Sequence, residues 1–67
     1  MEVFEVPSGD VDGINDTFST SFDFVDGTVF VWLNGIIEKD MTEISPDGFM
    51  MGLPPSIGDE LIVRYIR

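Results

Sequence analysis

The chain contains no cysteine and no histidine. The first absence excludes disulfides and thiolate metal sites, and the second removes the commonest zinc ligand. Both absences also strip out the usual nucleophile–base pairs, leaving only a serine activated by Lys39 or a pair of carboxylates. No spacing places a serine beside Lys39. The thirteen acidic residues are scattered over 67 positions, with no preferred pair and little room for a cleft. A phosphate-cradling glycine loop is also missing. The expectation is a protein that is not an enzyme and carries no cofactor and no metal.

Positive charge is almost as scarce. Lys39, Arg64 and Arg67 stand against those thirteen acids, for a formal net charge of −10. Phosphate backbones are held mainly through lysine and arginine, so the balance argues against nucleic-acid binding and against docking on an anionic membrane. Two uses remain for the acidity: solubility through self-repulsion, or complementarity to a basic protein surface. No apolar run reaches transmembrane length. Met1–Glu5 lacks the basic region that precedes the apolar core of a secretory signal. A soluble protein made in the cytoplasm is expected, whatever assembly it later joins.

What the chain does have is apolar residues in alternation. They make up 43% of the sequence, enough to rule out a wholly disordered chain. A domain of this size nevertheless buries only about 60% of the surface its unfolded form exposes. With disulfides and thiolate metals excluded, association with other chains becomes the remaining source of extra stability.

The most informative stretch is Thr28-Val29-Phe30-Val31-Trp32-Leu33-Asn34-Gly35-Ile36-Ile37. Val29, Val31 and Leu33 point one way, and Phe30, Trp32 and Asn34 the other. Asn and Gly both tolerate positive φ, so Asn34-Gly35 predicts a two-residue type I′ hairpin turn. Glu2–Val6 alternates and is stopped by Pro7-Ser8-Gly9. Thr17–Phe24 alternates Phe18, Thr20, Phe22 and Phe24 against Ser19, Ser21 and Asp23, which predicts a half-buried strand. Asp26-Gly27 turns the chain into the central strand. Ile37, Met41 and Ile44 have helical spacing, but the window from Gly35 to Pro46 is short and holds poor helix formers. Two short strands are expected there, the second joined through Pro46-Asp47-Gly48 to Phe49–Met51. After the extended Leu53-Pro54-Pro55 and a turn at Ile57-Gly58-Asp59, Glu60–Ile66 closes the chain. Its Leu61, Val63 and Tyr65 oppose Ile62, Arg64 and Ile66. Residues 1–67 therefore read as a single all-β domain: a small antiparallel β-sandwich or partly open barrel of six to seven short strands.

Asp10-Val11-Asp12-Gly13-Ile14-Asn15-Asp16 is rich in oxygen donors but does not fit an EF-hand loop. Counted from Asp10, the fifth position is Ile14, the glycine comes at the fourth position, and the twelfth is Ser21 where a bidentate Glu is required. These residues are expected to serve as turn formers. Candidate interface residues are Trp32, Tyr65 and, from the adaptable apolar stretch after the second turn, Phe49, Met50, Met51 and Leu53.

Three segments, in order, carry a resemblance. Gly13-Ile14-Asn15-Asp16-Thr17-Phe18 resembles the G-x-N-x-x-F opening of a small β-domain common in bacteriophage virion proteins. Val29-Phe30-Val31-Trp32-Leu33-Asn34-Gly35 is similar to its strand–Leu-Asn-Gly centre. Pro54-Pro55-Ser56-Ile57-Gly58-Asp59-Glu60-Leu61-Ile62-Val63-Arg64-Tyr65 is similar to its close. The family resemblance implies an antiparallel β-sandwich of tail fibres, baseplate-associated proteins or capsid-surface proteins, used as repeated or trimeric modules. It transfers no catalytic residues. Asp40-Met41-Thr42 stands where the family has a longer segment, and the chain reads as a free-standing module, which favours a small accessory protein over a fibre. The implied function is a non-enzymatic virion structural protein, a decoration or tail-associated module located in the virion. Its expected partners are other virion proteins and further copies of itself. The alternative is a carbohydrate-binding module for host-surface recognition through Trp32 or Tyr65.

Overall fold

A computed structural model describes residues 1–67. Seven strands form: β1 (Glu2–Glu5), β2 (Thr17–Ser19), β3 (Phe30–Leu33), β4 (Ile36–Glu38), β5 (Met41–Ile44), β6 (Gly48–Met51) and β7 (Leu61–Ile66). They make two wholly antiparallel sheets, one in the order β1-β7-β3-β4 and the other β2-β6-β5. No helix is present. The all-β expectation stands, and the stretch around Met41 is strand.

One core lies between the sheets. The four-stranded sheet contributes Val31, Leu61, Val63 and Tyr65, and the three-stranded sheet contributes Phe18, Phe49 and Met51. Phe24 and Val29 close it from the connecting chain, with Phe24 edge-on to Tyr65 at 6.3 Å between ring centres. The period-two pattern explains the choice in β7, where every second residue from Leu61 is buried. Phe18 and Phe49 are directly paired across strands and stack at 5.8 Å.

The Asn34-Gly35 turn has the expected geometry: φ is +53° at Asn34 and +83° at Gly35, and Leu33 faces Ile36 across the two-residue loop. Two expectations need correction. Thr17–Phe24 is not one strand, because pairing ends at Ser19. The Thr20 hydroxyl turns back to donate to the carbonyls of Phe22 (2.7 Å) and Asp47 (3.2 Å), while the Ser21 N–H and hydroxyl donate to the Glu5 carboxylate. The chain bends around these bonds, so Phe24 reaches the core while Phe22 is left exposed. The turn expected at Pro46-Asp47-Gly48 ends one residue early, because Gly48 has no positive φ and already belongs to β6.

The termini meet. Beyond the β1–β7 ladder, the Arg67 N–H donates to the Met1 carbonyl at 2.9 Å, and the Met1 ammonium donates to the Arg67 carbonyl at 3.3 Å. β7 lies between β1 and β3, which 24 residues of chain separate.

Candidate functional site

The outer face of the four-stranded sheet is the most unusual surface of the molecule. Residues whose neighbours on either side point into the core must point outward, and here they are again apolar. Register puts Phe4, Arg64 and Phe30 in one row, and Ile62, Trp32 and Ile37 in the next. Glu2 and Ile66 form a third row. Phe4 is 61% exposed, Phe30 42% and Ile37 43%, while Trp32, Ile62 and Ile66 are half-buried by one another. Phe4 leans across β7 to Trp32 at 6.2 Å between ring centres.

Charge on this face is internally cancelled. Arg64 Nε donates to the Glu2 carboxylate at 2.7 Å, and a second guanidinium nitrogen lies 2.6 Å from the same oxygen. The guanidinium carbon also sits 5.5 Å from the centre of the Phe30 ring, within cation–π range. A contiguous apolar surface of this kind marks a contact site more often than a solvated face.

The residues singled out from sequence do not gather at one surface. Trp32 lies on the outer face just described. Phe49, Met51 and Tyr65 fill the core, and the contact role expected of them is corrected accordingly. Each occupies the inward phase of β6 or β7, and only one phase of a strand reaches the surface. Met50, on the opposite phase of β6, is exposed on the outside of the other sheet, and Leu53 is 79% exposed in the loop that follows. The residues that sequence reasoning missed are Phe4, Phe30, Ile37, Ile62 and Ile66. Their signal was present as apolar side chains on both phases of all four strands, in Val3-Phe4 and Ile36-Ile37 as well as in β3 and β7.

Polar groups are occupied in structure rather than assembled for chemistry. Glu5 lies on the inner side of β1 and accepts hydrogen bonds from the Ser21 hydroxyl (2.6 Å), the Ser21 N–H (2.9 Å) and the Tyr65 hydroxyl. Burial pushes its pKa up, but the bonds from Ser21 and Tyr65 outweigh that and hold it below the ordinary value. Burial raises the Tyr65 pKa, and the bond to the Glu5 carboxylate raises it further. In the Asp10–Asp16 loop the Asp12 carboxylate accepts from the Asn15 and Ile14 N–H groups, which depresses its pKa. Asn15 in turn donates to the Thr17 and Asp10 carbonyls. No three carboxylates converge into a metal cage. The largest concavity, about 520 Å³, is an open polar groove walled by Ser8, Asp10, Thr17, Ser19, Ser45 and Asp47. Of its hydroxyls, that of Ser45 donates to the Asp26 carboxylate and ties two loops together.

The three segments of the sequence resemblance are hydrogen-bonded to one another. Asn34 donates through Nδ2 to Asp59 (3.0 Å), and its Oδ1 accepts the Glu60 N–H (2.9 Å). Asp59 also accepts the Ser56 N–H at 2.8 Å. The Asn34 and Ser56 bonds lower its pKa. The Gly13 N–H donates to the Pro55 carbonyl at 2.8 Å. These residues hold turns together. Comparison of the chain with protein-family models, with curated proteins and with solved structures finds no match.

Proposed function

We propose that this chain is a non-enzymatic structural module of a bacteriophage virion, an accessory, decoration or tail-associated protein that assembles by protein–protein contacts. The observation that carries the assembly reading is the apolar outer face of the four-stranded sheet, centred on Trp32. Six apolar side chains lie there around one self-neutralised ion pair. Water gains nothing from such a face, and a partner that covers it recovers the apolar burial that a 67-residue core lacks. The virion setting is supported by the ordered sequence resemblance alone.

A glycan-binding role is less well served by the same face. Sugars need a stacking ring flanked by free hydrogen-bonding groups, and at the centre of this face the polar side chains are Glu2 and Arg64, which bind each other, with Glu38 and Lys39 only at the Phe30 edge. Mass spectrometry of purified particles tests the proposal. The chain should be recovered with the virion, and the Ile37→Asp variant should fold yet be lost from it. Absence of the wild-type chain from particles, together with saturable binding to a glycan, would replace the structural reading with the carbohydrate one.

A further inference from the structure

We infer that the outer face of the four-stranded sheet is covered by the same face of a second copy, giving a two-fold dimer. The inference rests on the assembly reading above and names its first partner. Self-association faces an obvious obstacle, since each copy carries a net charge of −10. Two such molecules approach closely only through a surface from which uncompensated carboxylates are absent. The outer sheet face is that surface.

Of the thirteen acids, only Glu2 projects from the outward phase of these four strands, and Arg64 neutralises it. Glu5 and Glu38 lie on the inward phases of β1 and β4, Glu38 at the sheet edge beside Lys39. Asp59 and Glu60 lie in the loop before β7, and Asp10, Asp12, Asp16, Asp23 and Asp26 lie in the other loops. The scarce cations are gathered at this sheet instead. Arg64 is in the middle, Lys39 follows β4 beside Phe30 and Ile37, and Arg67 follows β7, its guanidinium 3.6 Å from the centre of the Phe22 ring.

The strand order makes the face self-complementary. A two-fold axis running along the strands lays β1 of one copy over β4 of the other. Each row then lies over itself, so that Arg64 of one copy covers Phe30 of the other, Ile62 covers Trp32, and Phe4 comes over the Lys39 end of β4. Trp32 and Ile62, in the central strands, pack near the axis. Taking about 200 Å² for a fully exposed aromatic side chain, the face offers on the order of 500 Å² per copy. That places the dimer at the lower end of specific interfaces, in the range of weak and transient association.

A basic partner would give the opposite salt dependence, and this decides between occupants. Two copies of like charge associate more tightly as salt screens their repulsion, whereas an acidic chain leaves a basic partner. The test is sedimentation of the full chain from about 1 μM to about 500 μM at low and moderate salt, with Trp32 fluorescence read in parallel. Trp32 is the only tryptophan, so its emission reports this face without any substitution. The expected result is a monomer–dimer equilibrium tightened about threefold or more by salt, with emission moving to shorter wavelength as dimer forms. Ile37→Asp and Phe4→Asp should abolish both changes, whereas Leu53→Asp, on another surface, should abolish neither. A monomer throughout the range overturns the inference, as does a dimer that leaves Trp32 emission unmoved or weakens with salt. A monomer still recovered with particles, and lost from them through Ile37→Asp, overturns the second copy while leaving the structural role intact.

Discussion

Replacing Glu43 tests the strongest tie between the two sheets. Glu43 lies on the inward phase of β5, opposite Phe49, yet its carboxylate reaches the other layer. There it accepts the Gly27 N–H at 2.7 Å and the part-buried Val29 N–H at 3.1 Å. Neither N–H has a strand partner, because β3 begins only at Phe30. In Glu43→Ala, water can solvate the exposed Gly27 group, but the Val29 donor lies beside a core side chain. An unsatisfied buried donor costs about 1–3 kcal/mol, so the variant should lose about 2 kcal/mol. For a domain of this size that is a fall in melting temperature of about 8–16 °C. Glu43→Gln keeps one acceptor but turns an NH₂ toward a backbone donor, and should lose about 1 kcal/mol. Urea unfolding followed by Trp32 fluorescence gives both values, with Thr42→Ala, exposed on the same strand, as the control. A loss below about 0.5 kcal/mol in Glu43→Ala would refute the inter-layer clamp, since that is the scale of ordinary surface changes.

Gly35→Val should destabilise by about 1–2 kcal/mol in the same urea assay, because φ is +83° there. An added Cβ meets no neighbour within 4 Å, so the whole effect would be backbone strain. Stability should fall in acid and in base through one hydrogen-bonded pair. The folded-state pKa of Glu5 is lowered, so its contribution is present above the unfolded value and lost as pH drops through the folded one. Tyr65 is raised, so its contribution is complete below its unfolded value and lost as pH climbs through the folded one. Glu5→Gln should accordingly be less stable than wild type at neutral pH, with the gap closing in acid, and Tyr65→Phe should flatten the alkaline loss. Thermal melts in excess calcium and in chelator should coincide, because Asp12 and Asn15 already satisfy their own loop. A marked upward shift with calcium would show that loop to be a cation site.

Turns and strands were legible in the sequence wherever one local rule governed them. Asn34-Gly35 could be read because few residue pairs accept two positive φ values in succession. β7 could be read as a strand because Leu61, Val63 and Tyr65 alternate with Ile62, Arg64 and Ile66, but its inward phase could not, and Tyr65 was placed at a contact. The misread segment, Thr17–Phe24, shows where local rules stop. Its alternation is sound, but Glu5 and Asp47, distant in sequence, supply the hydrogen bonds that bend it after Ser19. The exposed apolar face was hidden for a different reason. Phe30-Val31-Trp32-Leu33 is apolar on both phases, so periodicity identifies two faces without saying which one is wet. That choice depends on what the opposite sheet covers, and Phe49 and Met51 were assigned to the surface for want of it.

The position of β7 sets the order in which the molecule is able to fold. Sheet formation usually proceeds by adding a strand beside its predecessor, but β1 has no partner until Val63, Arg64 and Tyr65 have been synthesised. A chain emerging from the ribosome therefore holds β1 as an orphan while the β3–β4 and β5–β6 hairpins form by local closure. The later strand must enter between two segments already made, as a wedge rather than an extension, with Val63 and Arg64 paired on both sides. Folding of the larger sheet is thus deferred until its C-terminal strand is free, with the slow, long-range closure expected of high contact order. Until then Phe4, Phe30 and Trp32 border an empty slot, and the acidity of the nascent chain is its defence against pairing with a neighbour.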